Sequence, residues 1–216
     1  MEKYNDRQKR CLVKDDYNAI ADVYDAAYGS IETYKPFADV FMDILDGNRI
    51  VELGCGSGAM ADYMCKNGYN VVGVDFSHAL LKIARNRYPY VDFIEADICD
   101  YLPPVKYDGV FTKDVLFHLP PKDMERVLRN FKNILKPNGI FCIVMDMPEV
   151  EGEQYFDEEL DKRFKVYYNY VSAETLKTMI EKVGLKVESI TILDENEFAS
   201  SYAHGVMAIY GANKKF

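Results

Sequence analysis

The sequence predicts an α/β fold: a doubly wound, Rossmann-like sheet of seven strands, mostly parallel with an antiparallel last strand, and helices on both faces. Three observations predict it. Apolar, β-branched runs alternate with helical patterns from about residue 15 onward, the signature of parallel strands joined by crossover helices. A glycine-rich turn, Gly54-Cys55-Gly56-Ser57-Gly58, stands where the first such run gives way to a helix. The last two runs have no helix between them, so the final strand is expected to run antiparallel.

The elements follow in order. Residues 15–28 place Tyr17, Ile20, Ala21 and Tyr24 at helical spacing. A second helix over 36–46 begins with proline and stops at Gly47. Arg49–Leu53 reads as a buried strand, and 59–67 as a helix ended by Gly68. Asn70–Asp75 is a β-branched strand, after which Ser77 caps a helix over 78–88. Strands at 91–95 and Tyr107–Lys113 come next. The helix 121–135 carries Met124, Val127, Leu128, Phe131, Ile134 and Leu135 on one face. The turn Lys136-Pro137-Asn138-Gly139 then releases the chain into a strand at 140–145. Residues 148–171 read as irregular, rich in acids and in Tyr and Phe. A helix over 173–183, capped by Ser172 and ended by Gly184, leads to strands at 185–193 and 204–210.

With 216 residues, 49% hydrophobic and 28% charged, the chain is sized for one domain. Its parts are N-terminal cap helices (1–47), a cofactor-binding core (48–146), a lid or substrate segment (147–171) and a C-terminal helix with two strands (172–216). No apolar run approaches the roughly 20 residues that span a bilayer, and the charged N-terminus lacks a secretory signal. A cytoplasmic protein without a membrane partner is expected. The net charge of -9, with no cluster of Lys and Arg, argues against nucleic acid. Five unpaired cysteines and three histidines without ligand spacing give no reason to expect a disulfide framework or a metal site.

The chemistry concentrates in Val51-Glu52-Leu53-Gly54-Cys55-Gly56-Ser57-Gly58. Glycines there let the backbone turn tightly and approach a ligand, and the helix that follows offers free N–H groups. Asp75, seventeen residues beyond Gly58 at the end of the second strand, can accept from both hydroxyls of a ribose. The pair implies an adenosine-type ligand. A nicotinamide dinucleotide site shows G-x-G-x-x-G, whereas here the spacing is G-x-G-x-G after an acid.

That pattern resembles the class I S-adenosylmethionine-dependent methyltransferases of small-molecule type, whose first motif reads E-x-G-x-G-x-G. Gly73-Val74-Asp75-Phe76-Ser77, Glu95-Ala96-Asp97-Ile98 and Leu135-Lys136-Pro137-Asn138-Gly139-Ile140 resemble its later motifs, and Tyr17 to Asp25 resembles a Y-x-x-x-A-x-x-Y-D helix. The resemblance implies that S-adenosylmethionine is the cofactor and a small molecule the methyl acceptor. It implies that Gly54 and Gly56, with Cys55 between them, line the methionine end. Asp75 would hold the ribose, Phe76 would lie against adenine, and Asp97 and Ile98 would bind the adenine edge. Tyr17 and Tyr24 would touch the methionine part or the substrate, and Lys113 would offer its backbone carbonyl to the cofactor's amino group.

A sulfonium is already an activated methyl donor, so the protein must chiefly align the reactants and exclude water. An acceptor with an acidic proton also needs a base. The candidate is His118, after the fourth strand, with the rival role of a loop-stabilising hydrogen bond. Asp114 reads as a solvated acid and His204 as a loop residue. The fourth-strand segment lacks the Asn/Asp-Pro-Pro-aromatic motif of enzymes that methylate exocyclic amines of bases. Acids and aromatics interleaved over 149–170 would suit a cationic amine or a solvated surface. Two other classes stay open: a binding protein that keeps the cofactor fold without turnover, and a nicotinamide-dependent oxidoreductase.

Overall fold

The computed structural model describes residues 4–147, 150–157, 165–194 and 205–214. Helix α1 (Asp6–Tyr28) opens with a reciprocal cap: the Asn5 side chain accepts from the Gln8 amide, and the Gln8 side chain accepts from the Asn5 amide. Such a box satisfies two free helix amides. The helix therefore starts at residue 6 and not at 15. Its added turns are mostly charged, with Lys9 and Val13 as their buried positions, so apolar periodicity alone does not show them.

Helices α2 (Lys35–Asp43) and α3 (Ala59–Lys66) flank strand β1 (Arg49–Leu53), and β2 (Asn70–Asp75) precedes α4 (His78–Arg87). Strands β3 (Asp92–Glu95) and β4 (Tyr107–Lys113) follow, then α5 (Pro121–Ile134) and β5 (Leu135–Asp146). A two-stranded unit of β6 (Gly152–Asp157) and β7 (Lys165–Tyr170) comes before α6 (Ala173–Lys182), β8 (Lys186–Asp194) and β9 (Gly205–Ala212).

The main sheet has the order β3-β2-β1-β4-β5-β9-β8. Strands β1 to β5 pair in parallel, while β9 is antiparallel to both of its neighbours, as the missing helix before it requires. Alternate side chains feed opposite layers. In β5, Phe141, Ile143 and Met145 pack with Leu128 and Phe131 of α5 and Leu176 of α6. Cys142 and Val144 pack with Phe37 and Phe41 of α2 and Met60 and Met64 of α3. Burying each such large side chain contributes roughly 1.5–3 kcal/mol. Asn138, in the turn within β5, takes the left-handed conformation at φ 64, which Asn tolerates better than most residues.

The expectation of an irregular stretch over 148–171 is corrected. β6 and β7 form an antiparallel pair registered from Gly152 against Tyr170 to Asp157 against Lys165. Val166, Tyr167 and Asn169 are all buried, so β7 is covered on both faces and lacks the polar–apolar alternation that would reveal a strand. The unit docks firmly: Asn169 Nδ2 donates to the Leu119 carbonyl at 3.0 Å, and Lys9 Nζ lies 2.6 Å from Glu153.

The first strand order reversal falls between β1 and β4, where the chain leaves β3 and crosses back. At such a switch point the strand ends splay apart and leave a crevice.

Candidate active site

A cleft of about 960 Å³, open mouth included, occupies that crevice. Its walls bring together every site residue the sequence nominates: Tyr17, Tyr24, Gly54, Cys55, Gly56, Asp75, Phe76, Asp97, Ile98, Lys113 and His118. Asp114 joins them. His204 lies outside the described residues.

The turn after β1 is held to β2 by hydrogen bonds and runs through left-handed backbone. Gly54 N and Cys55 N both donate to the Val74 carbonyl, at 2.7 and 3.1 Å. Gly54 and Gly56 have φ of 76 and 53, favourable to glycine. They differ in surroundings. A Cβ on Gly54 would meet Val115 Cγ2 at 2.1 Å, whereas one on Gly56 would meet nothing within 4 Å. Gly56 thus leaves its backbone open to the cleft. Its amide donates to Asp75 Oδ2 at 2.9 Å, and the Ser77 amide donates to Oδ1 at 2.8 Å. Burial raises the pKa of Asp75, against the pull of these amides.

Glu52 also faces the cleft, 2% exposed, with its Oε2 lacking a hydrogen-bond partner. Desolvation pushes its pKa up to about 8, with Lys113 opposing. The sequence signals it only as an acid within the apolar run Ile50-Val51-Glu52-Leu53, which marks the motif without assigning Glu52 a role.

Over the β2–β3 side, Asp97 Oδ1 accepts from the Cys99 amide at 2.9 Å and Oδ2 accepts from Arg10 Nε at 3.0 Å. Arg10 also pairs with Asp123 of α5 and lines the cleft. Asn18 Oδ1 accepts from Ser77 Oγ and the Ala79 amide, and Arg87 forks onto Asp25. Helix α1 is therefore clamped across the crevice by polar contacts to α4, α5 and the loop after β3.

The β4–β5 side holds a second polar group. Lys113 Nζ lies 2.8 Å from Asp114 Oδ2 and 4.0 Å from the centre of the Tyr34 ring. Burial works against its charge, but Asp114 and the phenol of Tyr24 more than compensate and raise its pKa. Asp114, at φ 54, is a half-buried ion-pair member, which corrects the expectation of a solvated acid. Asp146, at the end of β5, has its pKa pushed up to about 7, first by burial and then by Asp114. One oxygen of each acid, Oδ1, is buried without a hydrogen-bond partner. Tyr170 feels both carboxylates, and Tyr168 stacks on it at 5.2 Å and 11°.

His118 is held at both nitrogens. Nδ1 lies 3.1 Å from the Tyr167 carbonyl and Nε2 lies 2.8 Å from the Tyr17 hydroxyl. A carbonyl only accepts, so Nδ1 carries the proton in the neutral ring and Nε2 accepts from Tyr17. Burial pushes the imidazole pKa down to about 4, so the ring is neutral at ordinary pH.

Comparison with known proteins points the same way. A model described as a methyltransferase domain matches residues 51–143, from β1 through most of β5. The matched residues are the ones that build the cleft floor from β1 to β5. The chain is 27% identical over 171 residues to the ubiquinone biosynthesis O-methyltransferase of Thiobacillus denitrificans, covering 73% of each protein. It is 33% identical over 120 residues to trans-aconitate 2-methyltransferase of Rhodopseudomonas palustris, spanning 53% of this chain and 45% of that one. The crystal structure of 1,6-didemethyltoxoflavin-N1-methyltransferase from Burkholderia thailandensis, with 1,6-didemethyltoxoflavin and S-adenosylhomocysteine bound, matches with a TM-score of 0.79. That match has 13% identity, covers 100% of this chain and 93% of the other, and speaks for the fold. Among the described residues, no helix is long and apolar enough to cross a membrane, and no cluster of His, Cys, Asp or Glu is placed to hold a metal.

Proposed function

We propose that this protein is a methyltransferase that binds S-adenosylmethionine in the cleft and transfers its methyl group to a small-molecule acceptor. One observation carries the reading: a glycine turn open to the cleft is tied to the cavity-facing carboxylate of Asp75, beside the unpartnered Oε2 of Glu52. The residues fit the cofactor. Gly56 leaves room for a close backbone approach, Asp75 keeps lone pairs for ribose hydroxyls, and Glu52 Oε2 suits an ammonium such as that of the methionine part. Phe76, Asp97 and Ile98 would meet the adenine. S-adenosylmethionine supplies a methyl group on a positively charged sulfur.

The chain's own work is then alignment and exclusion of water. Helix α1 closes the cleft, and Tyr17 and Tyr24 project from it into the cavity. The β4–β5 side is the acceptor end. There the free Oδ1 of Asp114, a residue of the cleft wall, suits an N–H or O–H donor, with Tyr170 of the β6–β7 unit near it. That relatives include a ubiquinone biosynthesis O-methyltransferase and a trans-aconitate 2-methyltransferase also fits a small acceptor.

The test is release of S-adenosylhomocysteine from S-adenosylmethionine against a panel of amines, phenols and carboxylic acids. Acceptor-dependent release that Asp75→Asn abolishes supports the reading. Tight cofactor binding with no turnover on any acceptor supports a non-catalytic binder instead, and binding of NAD alone contradicts the assignment.

A further inference from the structure

We propose that Arg10 is a cofactor-binding residue, which stands beside Asp97 and reads the adenine ring by donating to its N7. The inference rests on the S-adenosyl reading above.

Arg10 belongs to the face of α1 that the cleft sees. Arg10, Val13, Tyr17, Tyr24 and Tyr28 all line the cavity, and their spacing keeps them on one side of the helix. Two ion pairs hold Arg10 at the β2–β3 side, Nε with Asp97 and Nη1 with Asp123 of α5. The side chain stays 15% exposed, on the cleft wall.

Covalent geometry fixes where the remaining donors point. A guanidinium is a planar, rigid fork, and its Nε–H and one N–H of Nη2 lie side by side on the same edge. Nε donates to Asp97 Oδ2 at 3.0 Å, so the neighbouring Nη2–H points past that oxygen. Among the described residues, Nη2 meets no acceptor. Asp97 keeps acceptor capacity of its own. Oδ1 accepts from the Cys99 amide at 2.9 Å and Oδ2 from Arg10, which leaves a second lone pair on each oxygen. The amide of Ile98, the next residue, also meets no acceptor among the described residues, and Ile98 lines the cleft.

The three groups therefore stand in the order donor, acceptor, donor: Arg10 Nη2, the Asp97 carboxylate and the Ile98 amide. Adenine carries the complementary series around its amino group, with N7 accepting, the 6-amino group donating and N1 accepting. With the amino group on Asp97 and N1 on the Ile98 amide, N7 falls to Arg10. Phe76, Leu80 and Val13 supply apolar walls for the flat ring. A 6-oxo purine would set a carbonyl against the Asp97 carboxylate and an N–H against the Ile98 amide, so the same series rejects it.

The experiment is calorimetric titration of the full chain, wild type and Arg10→Lys, with S-adenosylhomocysteine, its 7-deaza analogue and its 1-deaza analogue. Lysine keeps a positive charge between Asp97 and Asp123 but lacks the planar edge. Wild type should bind the 7-deaza analogue about tenfold more weakly than S-adenosylhomocysteine, the loss of one hydrogen bond from a charged donor. In Arg10→Lys that penalty should largely vanish, because the parent ligand has already lost the contact. The 1-deaza penalty should be the same in both proteins. Arg10→Gln serves the same comparison if the lysine variant does not fold. A merely structural role weakens all three ligands equally and leaves the 7-deaza penalty in place, which overturns the proposal. Equal binding of S-adenosylhomocysteine and its 7-deaza analogue by wild type overturns it with no variant needed. A 1-deaza penalty that disappears with Arg10 turns the ring round and overturns it too. If S-adenosylhomocysteine itself does not bind wild type, the S-adenosyl reading fails and the proposal with it.

Discussion

The Gly56 amide and the Asp75 carboxylate, 2.9 Å apart, tie the turn after β1 to the end of β2. The group that fixes the loop is thus one that faces the cleft. Hydrogen bonds to charged acceptors are worth about 1.5–3 kcal/mol each. Replacing Asp75 by Asn keeps the shape and removes the charge. Calorimetric titration of S-adenosylhomocysteine should show affinity weakened roughly 10- to 100-fold, corresponding to the loss of one such interaction. Unchanged affinity would remove Asp75 from the ribose site.

The two glycines of the turn should respond differently to a methyl group. Gly56→Ala adds a Cβ in open space at φ 53, so the protein should lose about 1–2 kcal/mol from backbone strain, while the methyl obstructs the cleft. Gly54→Ala forces a contact with Val115 at 2.1 Å, and overpacking adds about 1–3 kcal/mol to the strain. Denaturant unfolding should rank Gly54→Ala as the less stable. Val115→Ala should restore part of that loss and none of the loss in Gly56→Ala.

Glu52 predicts a proton balance. Its native pKa of about 8 lies above the ordinary value of 4.5, so the folded protein holds an extra proton between those limits. Stability therefore falls as pH rises through that window, and Glu52→Gln should flatten the fall. A cationic group docking on Oε2 expels the proton. Titrating S-adenosylmethionine at pH 7 in buffers of different ionisation enthalpy should show close to one proton released, against none in Glu52→Gln.

Arg10 is the centre of an α1 clamp, between Asp97 and Asp123 with its side chain 15% exposed. Removing it leaves two part-buried carboxylates facing each other, a loss that reaches about 3–5 kcal/mol for a fully buried pair and less here. Arg10→Ala should speed amide exchange along α1 before the sheet is affected. Uniform exchange rates in α1 would show that the clamp is not what holds the helix.

Much of this was legible in the sequence because local chemistry and global fold agree. The alternation of runs yields β1 to β5, and Gly54, Gly56 and Asp75 sit where strand ends and turns make them useful. Three things were not legible. The first turns of α1 are stabilised by a cap at Asn5 and by Arg10 reaching partners 87 and 113 residues away. Strand β7 is buried on both faces, so Tyr167 to Tyr170 looks like an aromatic loop. The Asp114–Asp146 pair depends on β4 and β5 ending side by side, with Lys113 opposite Val144, a register no single run reveals. Acids closing the apolar runs at Glu52 and Asp146 were the available clue.

The central claim is an S-adenosyl site built on Asp75, and thermal unfolding tests it most directly. Wild type and Asp75→Asn are melted with S-adenosylmethionine, S-adenosylhomocysteine or NAD. A ligand at a hundred times its dissociation constant stabilises by about 2.7 kcal/mol, or roughly 5–10 °C at this size. The account predicts that shift with both S-adenosyl ligands, none with NAD, and a much smaller one in Asp75→Asn. No shift with either S-adenosyl ligand, or a shift with NAD alone, would contradict it.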